Sequence, residues 1–333
     1  MAISRLTLTA LFLSTALCTA FPVMAETLAA PVSVKRITQF KSGSDETRFG
    51  SFQFLGGLEF TSSEELLGSL SSIRFRPDGS QFVSVLDTGH WLTGRITRDG
   101  EGFLAGLADL SISSMVDARG NIPHYKGDID AEGLALRDGQ VLVSFERDHR
   151  VDVYPDPGFE TQRPLRSLNI LIPKRELRSN GGLETVVVAP PQSPHSGTVL
   201  TIAENSVDRN GNLFAAILEG PVRGQFKVVR NDPWDVTDGA FLPGGDLLLL
   251  ERRFSFLGGV GMRIRRIAGQ DIRPGALLDG PVQIEADMAY QIDNMEGIDV
   301  VAGADGRSHI MLVSDDNHSM LQRNLMLEFR LVE

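Results

Sequence analysis

A strand–turn–strand unit recurs about every fifty-five residues, glycine is abundant, and no long amphipathic helix interrupts the pattern. Together these observations predict an all-β fold, a single β-propeller. Glycine makes up 34 of 333 residues, above the usual share of roughly 7%, as many short strands and tight turns require. Gly, Pro or a β-branched run breaks every helical candidate except short pieces such as Ser63–Leu70.

In chain order, Met1–Ala25 reads first as a cleavable export signal. Arg5 supplies the positive start, Leu6–Ala20 an uncharged apolar run, and Val23-Met24-Ala25 the small residues around a cleavage point. The run is too short for a membrane span of about 20 residues, and Pro22 follows it. Cys18, the sole cysteine, lies within this segment, and Leu17 before it disfavours lipidation. Cleavage leaves a chain with no disulfide, thiolate or cysteine-type zinc site. Periplasmic or secreted protein is the expectation, with a short lead over 26–34 and one domain over 35–333. It has no membrane span after cleavage and is expected to be a monomer.

The repeat begins in one copy at Ser72-Ile-Arg-Phe, turns at Pro77-Asp78-Gly79 and returns as Phe82 to Asp87. Later copies run from Asp130-Ala-Glu132 to Glu146, from Asn180-Gly-Gly-Leu-Glu184 to Glu204, from Asp238-Gly-Ala-Phe to Glu251, and from Asn294-Met-Glu296 to Asp315. Taking Ser72, Glu132, Glu184, Asp238 and Glu296 as equivalent, the spacings are 60, 52, 54 and 58 residues. Arg147–Tyr154, Phe226–Arg230 and Met262–Ile267 are candidate outer strands. Ile37–Phe40 and Phe52–Phe60 pair with Leu325–Leu331 to make a further blade that closes the ring, so six blades are expected, with five as the alternative.

In an antiparallel hairpin the start of the first strand and the end of the second share one edge. The acids at those points therefore face one mouth of the central channel. Asp130, Glu132, Glu146, Glu184, Asp238, Glu296 and Asp315 are the candidate metal ligands. Glu204 and Glu251 are candidates for a catalytic base, and Arg147, Arg252 and His149 for substrate binding. Carboxylates in that number repel one another unless cations lie among them. Oxygen donors, with Asn180, Asn205, Asn294 and Asn317 nearby, suit Ca²⁺ better than zinc. Arg147 and Arg252 follow acids directly, which fits a clamp for phosphate or carboxylate as well as ion pairs between blades.

Composition excludes other classes. With Lys+Arg 32 against Asp+Glu 43 and a net charge of −11, the chain lacks the basic face that nucleic acid or anionic lipid demands. There is no Gly-x-Ser-x-Gly elbow, Walker-type phosphate loop or dinucleotide fingerprint.

Asp130-Ala-Glu-Gly-Leu-Ala-Leu, Val143 to Arg150, Asn180 to Glu184, Asp238 to Asp246, Leu250 to Phe254, Asn294 to Asp299 and Val313 to Asn317, in this order, resemble the phytase-like family called "esterase-like activity of phytase". The resemblance runs from about Leu55 to Phe329. It implies a propeller related to calcium-dependent propeller phytases, with Glu132, Glu184, Asp238, Glu251, Glu296 and Asp315 at comparable positions. The Lys/Arg clusters that hold a polyphosphorylated ring have no counterpart here. The expected function is a calcium-dependent hydrolase of a small, phosphorylated substrate. A calcium-dependent lactonase or carboxylic esterase, and a non-catalytic scaffold tied by a structural cation, are the alternatives.

Overall fold

The computed structural model describes residues 27–123, 125–255 and 258–332. The export segment Met1–Ala25 lies outside them. Among the described residues there is no α-helix, only the 3₁₀ turns Lys126–Asp128, Lys174–Glu176 and Gly269–Asp271, so Ser63–Leu70 forms a turn leading into a strand. Among the described residues no helix is long and apolar enough to cross a membrane.

The strands form a five-bladed propeller. Inner strands Leu70–Phe75, Ala131–Arg137, Leu183–Val188, Asp235–Phe241 and Asn294–Ala302 open blades 1 to 5. They pack in ring order, with the fifth returning against the first. Each is followed by an antiparallel second strand: Gln81–Leu86, Gln140–Phe145, Val199–Val207, Leu247–Ser255 and Ser308–Asp315. Third and outer strands complete each sheet.

Five is thus the blade count, not six. The long N-terminal strand Phe52–Ser62 pairs with Asn324–Leu331, which pairs in turn with Ser308–Asp315. The terminal strands do close the ring, but they finish the fifth blade rather than build another. Upstream, Val32–Ile37 adds to the outer edge of blade 5 and Thr27–Ala29 to the outer edge of blade 1. One short segment therefore ties both sides of the closure.

Five apolar clusters fill the five gaps between blades. The run Leu247-Leu-Leu-Leu250 shows why second strands read as continuous apolar sequence. Successive side chains point to opposite faces, so Leu247 and Leu249 pack toward blade 3 and Leu248 and Leu250 toward blade 5. Both faces of an inner blade are buried, and the alternation of a half-wet sheet disappears.

One arginine reaches across the ring of inner strands. Arg74, fully buried, makes a paired bond to both oxygens of Asp238 at 2.8 Å and donates to the carbonyls of Ile73, Ile298, Gly239 and Val186. One side chain thereby touches four of the five blades.

Candidate metal centre and anion site at the channel mouth

Every inner strand begins with the same irregularity. Register shifts fall at Leu70/Ser72, near Ala131–Leu134, at Leu183/Thr185, at Val236/Asp238 and at Met295/Gly297. The bulged residues are Ser71, Glu132, Glu184, Thr237 and Glu296. A bulge re-aims the side chain it carries, and here it brings Glu132, Glu184 and Glu296 to the mouth. The second ring of positions lies late in the second strands or just past them, opposite the residues two before each bulge: Asp87, Glu146, Glu204, Arg252 and Asp315.

The two rings meet most tightly at blades 2 and 3. Carboxylate oxygens of Asp130, Glu132 and Glu146 lie within 4.8 Å of one another, as do those of Glu146, Glu184 and Glu204. Glu146 belongs to both groups, and one of its oxygens also accepts the backbone N–H groups of Gly181 and Gly182. Among the described residues no hydrogen-bond donor holds Glu132 or Glu184. Burial, reinforced by neighbouring carboxylates, pushes both well above the ordinary range. Burial likewise raises Glu204 to about 7, Glu296 to about 8 and Asp315 to about 7, against the pull of Arg252 on the first two and of the Asn317 N–H on the third. Protonated or compensated by cations, such a group is tolerable; bare and ionised, it is not. The ligand set is all oxygen and convergent, and it fits a hard divalent cation.

Cations of the chain itself line the rest of the mouth. Arg147, at a positive φ of 55°, donates to Asp130 at 2.6 Å. Lys126, which the sequence analysis did not single out, reaches Asp87 at 2.7 Å and Asp130 at 3.6 Å. Arg252 donates to Asn294 at 2.8 Å and to Glu204 at 3.1 Å, and its Nε stands 3.3 Å from Glu296. His149 is buried, its Nδ1 has no partner among the described residues, and burial holds its pKa down.

Two expected site residues stand elsewhere. Asp238 is one residue past the bulge, so it turns away from the mouth and is taken up by Arg74, Ser72 and the N–H groups of Gly239 and Ile298. Glu251 shares the face of Leu247 and Leu249, not that of the mouth. Both its oxygens are bound by Arg263 and Arg265 inside blade 4. Asp315 is at the mouth but outside both tight groups, and one of its oxygens accepts the Asn317 N–H at 2.8 Å.

The family described as Phytase-like, esterase-like activity of phytase, matches residues 65–318. No curated protein matches the chain in sequence. Among solved structures, the PQQ-bound form of aldose sugar dehydrogenase from Streptomyces coelicolor is similar at 13% identity and a TM-score of 0.43, covering 90% of this chain and 98% of that one. The structure of U3-55K is similar at 8% identity and a TM-score of 0.40, covering 80% and 96%.

Proposed function

Because the chain belongs to the phytase-like family, we propose that it is a hydrolase of phosphate esters that depends on divalent cations, calcium first among them. The observation that carries this reading is the pair of carboxylate groups joined through Glu146. Asp130, Glu132, Glu146, Glu184 and Glu204 would hold the cations. Such ions, when bound, supply Lewis-acid charge to the ester oxygens and acidify water.

The chain's own part follows from the geometry. The acidic mouth repels a phosphate until cations invert the local field, so ion binding and substrate binding are linked. Arg252 and Arg147, at the rim of the two groups, offer planar donors that orient an anionic oxygen. Glu204 stands in the Glu146 group and pairs with Arg252, so it would link the cation ligands to the guanidinium. Glu251 carries no role here, since Arg263 and Arg265 occupy it. The N-terminal segment Met1–Ala25 supports export, and the remaining chain has no cysteine to oxidise.

The test is hydrolysis of phosphomonoester, phosphodiester and carboxylic ester substrates with added Ca²⁺ and then with chelator. Expected is chelator-sensitive release of phosphate that Glu132→Gln and Glu184→Gln each lower at least 100-fold while the fold is retained. Turnover of carboxylic esters alone would replace the phosphate assignment. Turnover unaffected by chelator would overturn the cation dependence.

A further inference from the structure

Late in the second strands or just past them, the fold repeats five times but the chemistry only four. Asp87, Glu146, Glu204 and Asp315 are carboxylates; in blade 4 the position belongs to Arg252. The register makes these positions equivalent: Asp315 and Arg252 pair with Asn294 and Asp235, which lead the inner strands, and the N–H groups of Asp87, Glu146 and Glu204 bond the carbonyls of Ser69, Asp130 and Gly182. Blade 4 lacks an acid at its bulge as well, where Thr237 instead donates to the Met295 carbonyl at 3.1 Å.

The surroundings of Arg252 match those of the carboxylate groups. Each tight group contains a second-strand carboxylate and a bulge carboxylate. Arg252 lies against the second-strand Glu204, the bulge residue Glu296 and the side-chain oxygen of Asn294. That is a cation's set of oxygen donors, and a guanidinium fills it.

We propose that Arg252 is a cation built into the chain, standing where the fivefold pattern would otherwise place a further divalent ion, so that exchangeable ions are confined to the Asp130–Glu204 side of the mouth. The inference rests on the reading that the mouth binds divalent cations, and it goes further by removing Glu296 from the ligand set. A guanidinium is permanently charged and forked to span two carboxylates. Unlike an ion, it cannot be chelated away, so half of the mouth stays neutralised whatever the ion supply. It also leaves a fixed positive group beside the exchangeable ions, since Arg252 bonds Glu204 of the Glu146 group, and a single acidic group of a substrate can bridge the two.

Calorimetric titration with Ca²⁺ alone counts the sites. Relative to the parent, Glu184→Gln should lose one ion per chain, whereas Glu296→Gln and Arg252→Lys should keep the parent number. Arg252→Gln should gain one ion, and Ca²⁺ should raise its Tm by more than it raises the parent's. Loss of an ion in Glu296→Gln, or the parent number in folded Arg252→Gln, would overturn the proposal. Should Arg252→Gln fold only with calcium, elemental analysis after gel filtration supplies its count, and Glu296→Gln decides independently. A parent that binds no Ca²⁺ would sink the reading of the preceding section. An ion gained by Arg252→Gln in that case would still sustain the role of Arg252, and none gained would overturn that as well.

Discussion

Glu204 and Asp315 are raised to about 7 and Glu296 to about 8, Glu132 and Glu184 are also raised well above their ordinary range, and burial leads the causes in each. In the unfolded chain such groups ionise near 4. Between those values the folded state holds more protons than the unfolded one, so stability must fall as pH rises. His90 and His149, pulled down by burial, act in the opposite sense below about 6.5, and their contribution is nearly spent above pH 7. Carboxylates lowered by hydrogen bonds, such as Asp78 and Glu328, act only in the acid range. The cation-free protein should therefore lose Tm steadily from pH 7 to 8.5, and saturating Ca²⁺ should flatten or reverse the slope. Thermal melts in chelator and in calcium check this, and a Tm that rises with pH in chelator would count against it.

At the scale of the strand, the bulge explains what the sequence showed and what it hid. Acids recurring near strand ends revealed the repeat, the mouth and most of its carboxylates, because spacing survives a one-residue irregularity. Side-chain direction does not survive it, since a slip of one residue turns a side chain to the other face. Asp238 was aligned with Glu132, Glu184 and Glu296, but the bulge of blade 4 is at Thr237. Glu251 was aligned with Glu146 and Glu204, but Arg252 holds that position. The sixth blade failed for another reason: sequence shows that Phe52–Ser62 is a strand, not which sheet it joins. The glycine after the bulge has its own requirement. A Cβ on Gly297 would fall 2.7 Å from Val313 Cγ2 and 3.2 Å from the Ile73 nitrogen; on Gly133 it would fall 2.7 Å from the Val186 nitrogen. Neighbouring blades approach too closely there for any side chain. Gly133→Ala and Gly297→Ala should each cost about 1–3 kcal/mol, measured by urea unfolding, whereas Gly244→Ala, with open space around it and, like them, no positive φ, serves as the control without a steric clash. Equal losses at all three positions would defeat the packing account.

For the whole molecule, the question is what holds five blades about a common axis when each is covalently joined only to its neighbours. Apolar clusters act pairwise across the gaps, and the terminal strands act at one closure. Arg74 contacts blades 1, 3, 4 and 5 together. Its charge is met by Asp238, itself fully buried and raised by that burial despite the arginine. In a site this dry, removing one partner leaves the other charge unmatched, a loss of about 3–5 kcal/mol, whereas replacing both by apolar groups is close to neutral. Arg74→Met should therefore destabilise the propeller by about that amount, and adding Asp238→Leu should recover part of it. Recovery should stop short of the parent, because the carbonyls of Ile73, Ile298, Gly239 and Val186 would have lost their shared donor. Trp91 and Trp234, in different blades, report unfolding by fluorescence at a constant m value. Full recovery would mean that the carbonyl contacts are incidental and the ion pair is all that matters. A single substitution costing under about 1 kcal/mol would show that neither holds the ring, leaving the five gap clusters and the closure strands to do so.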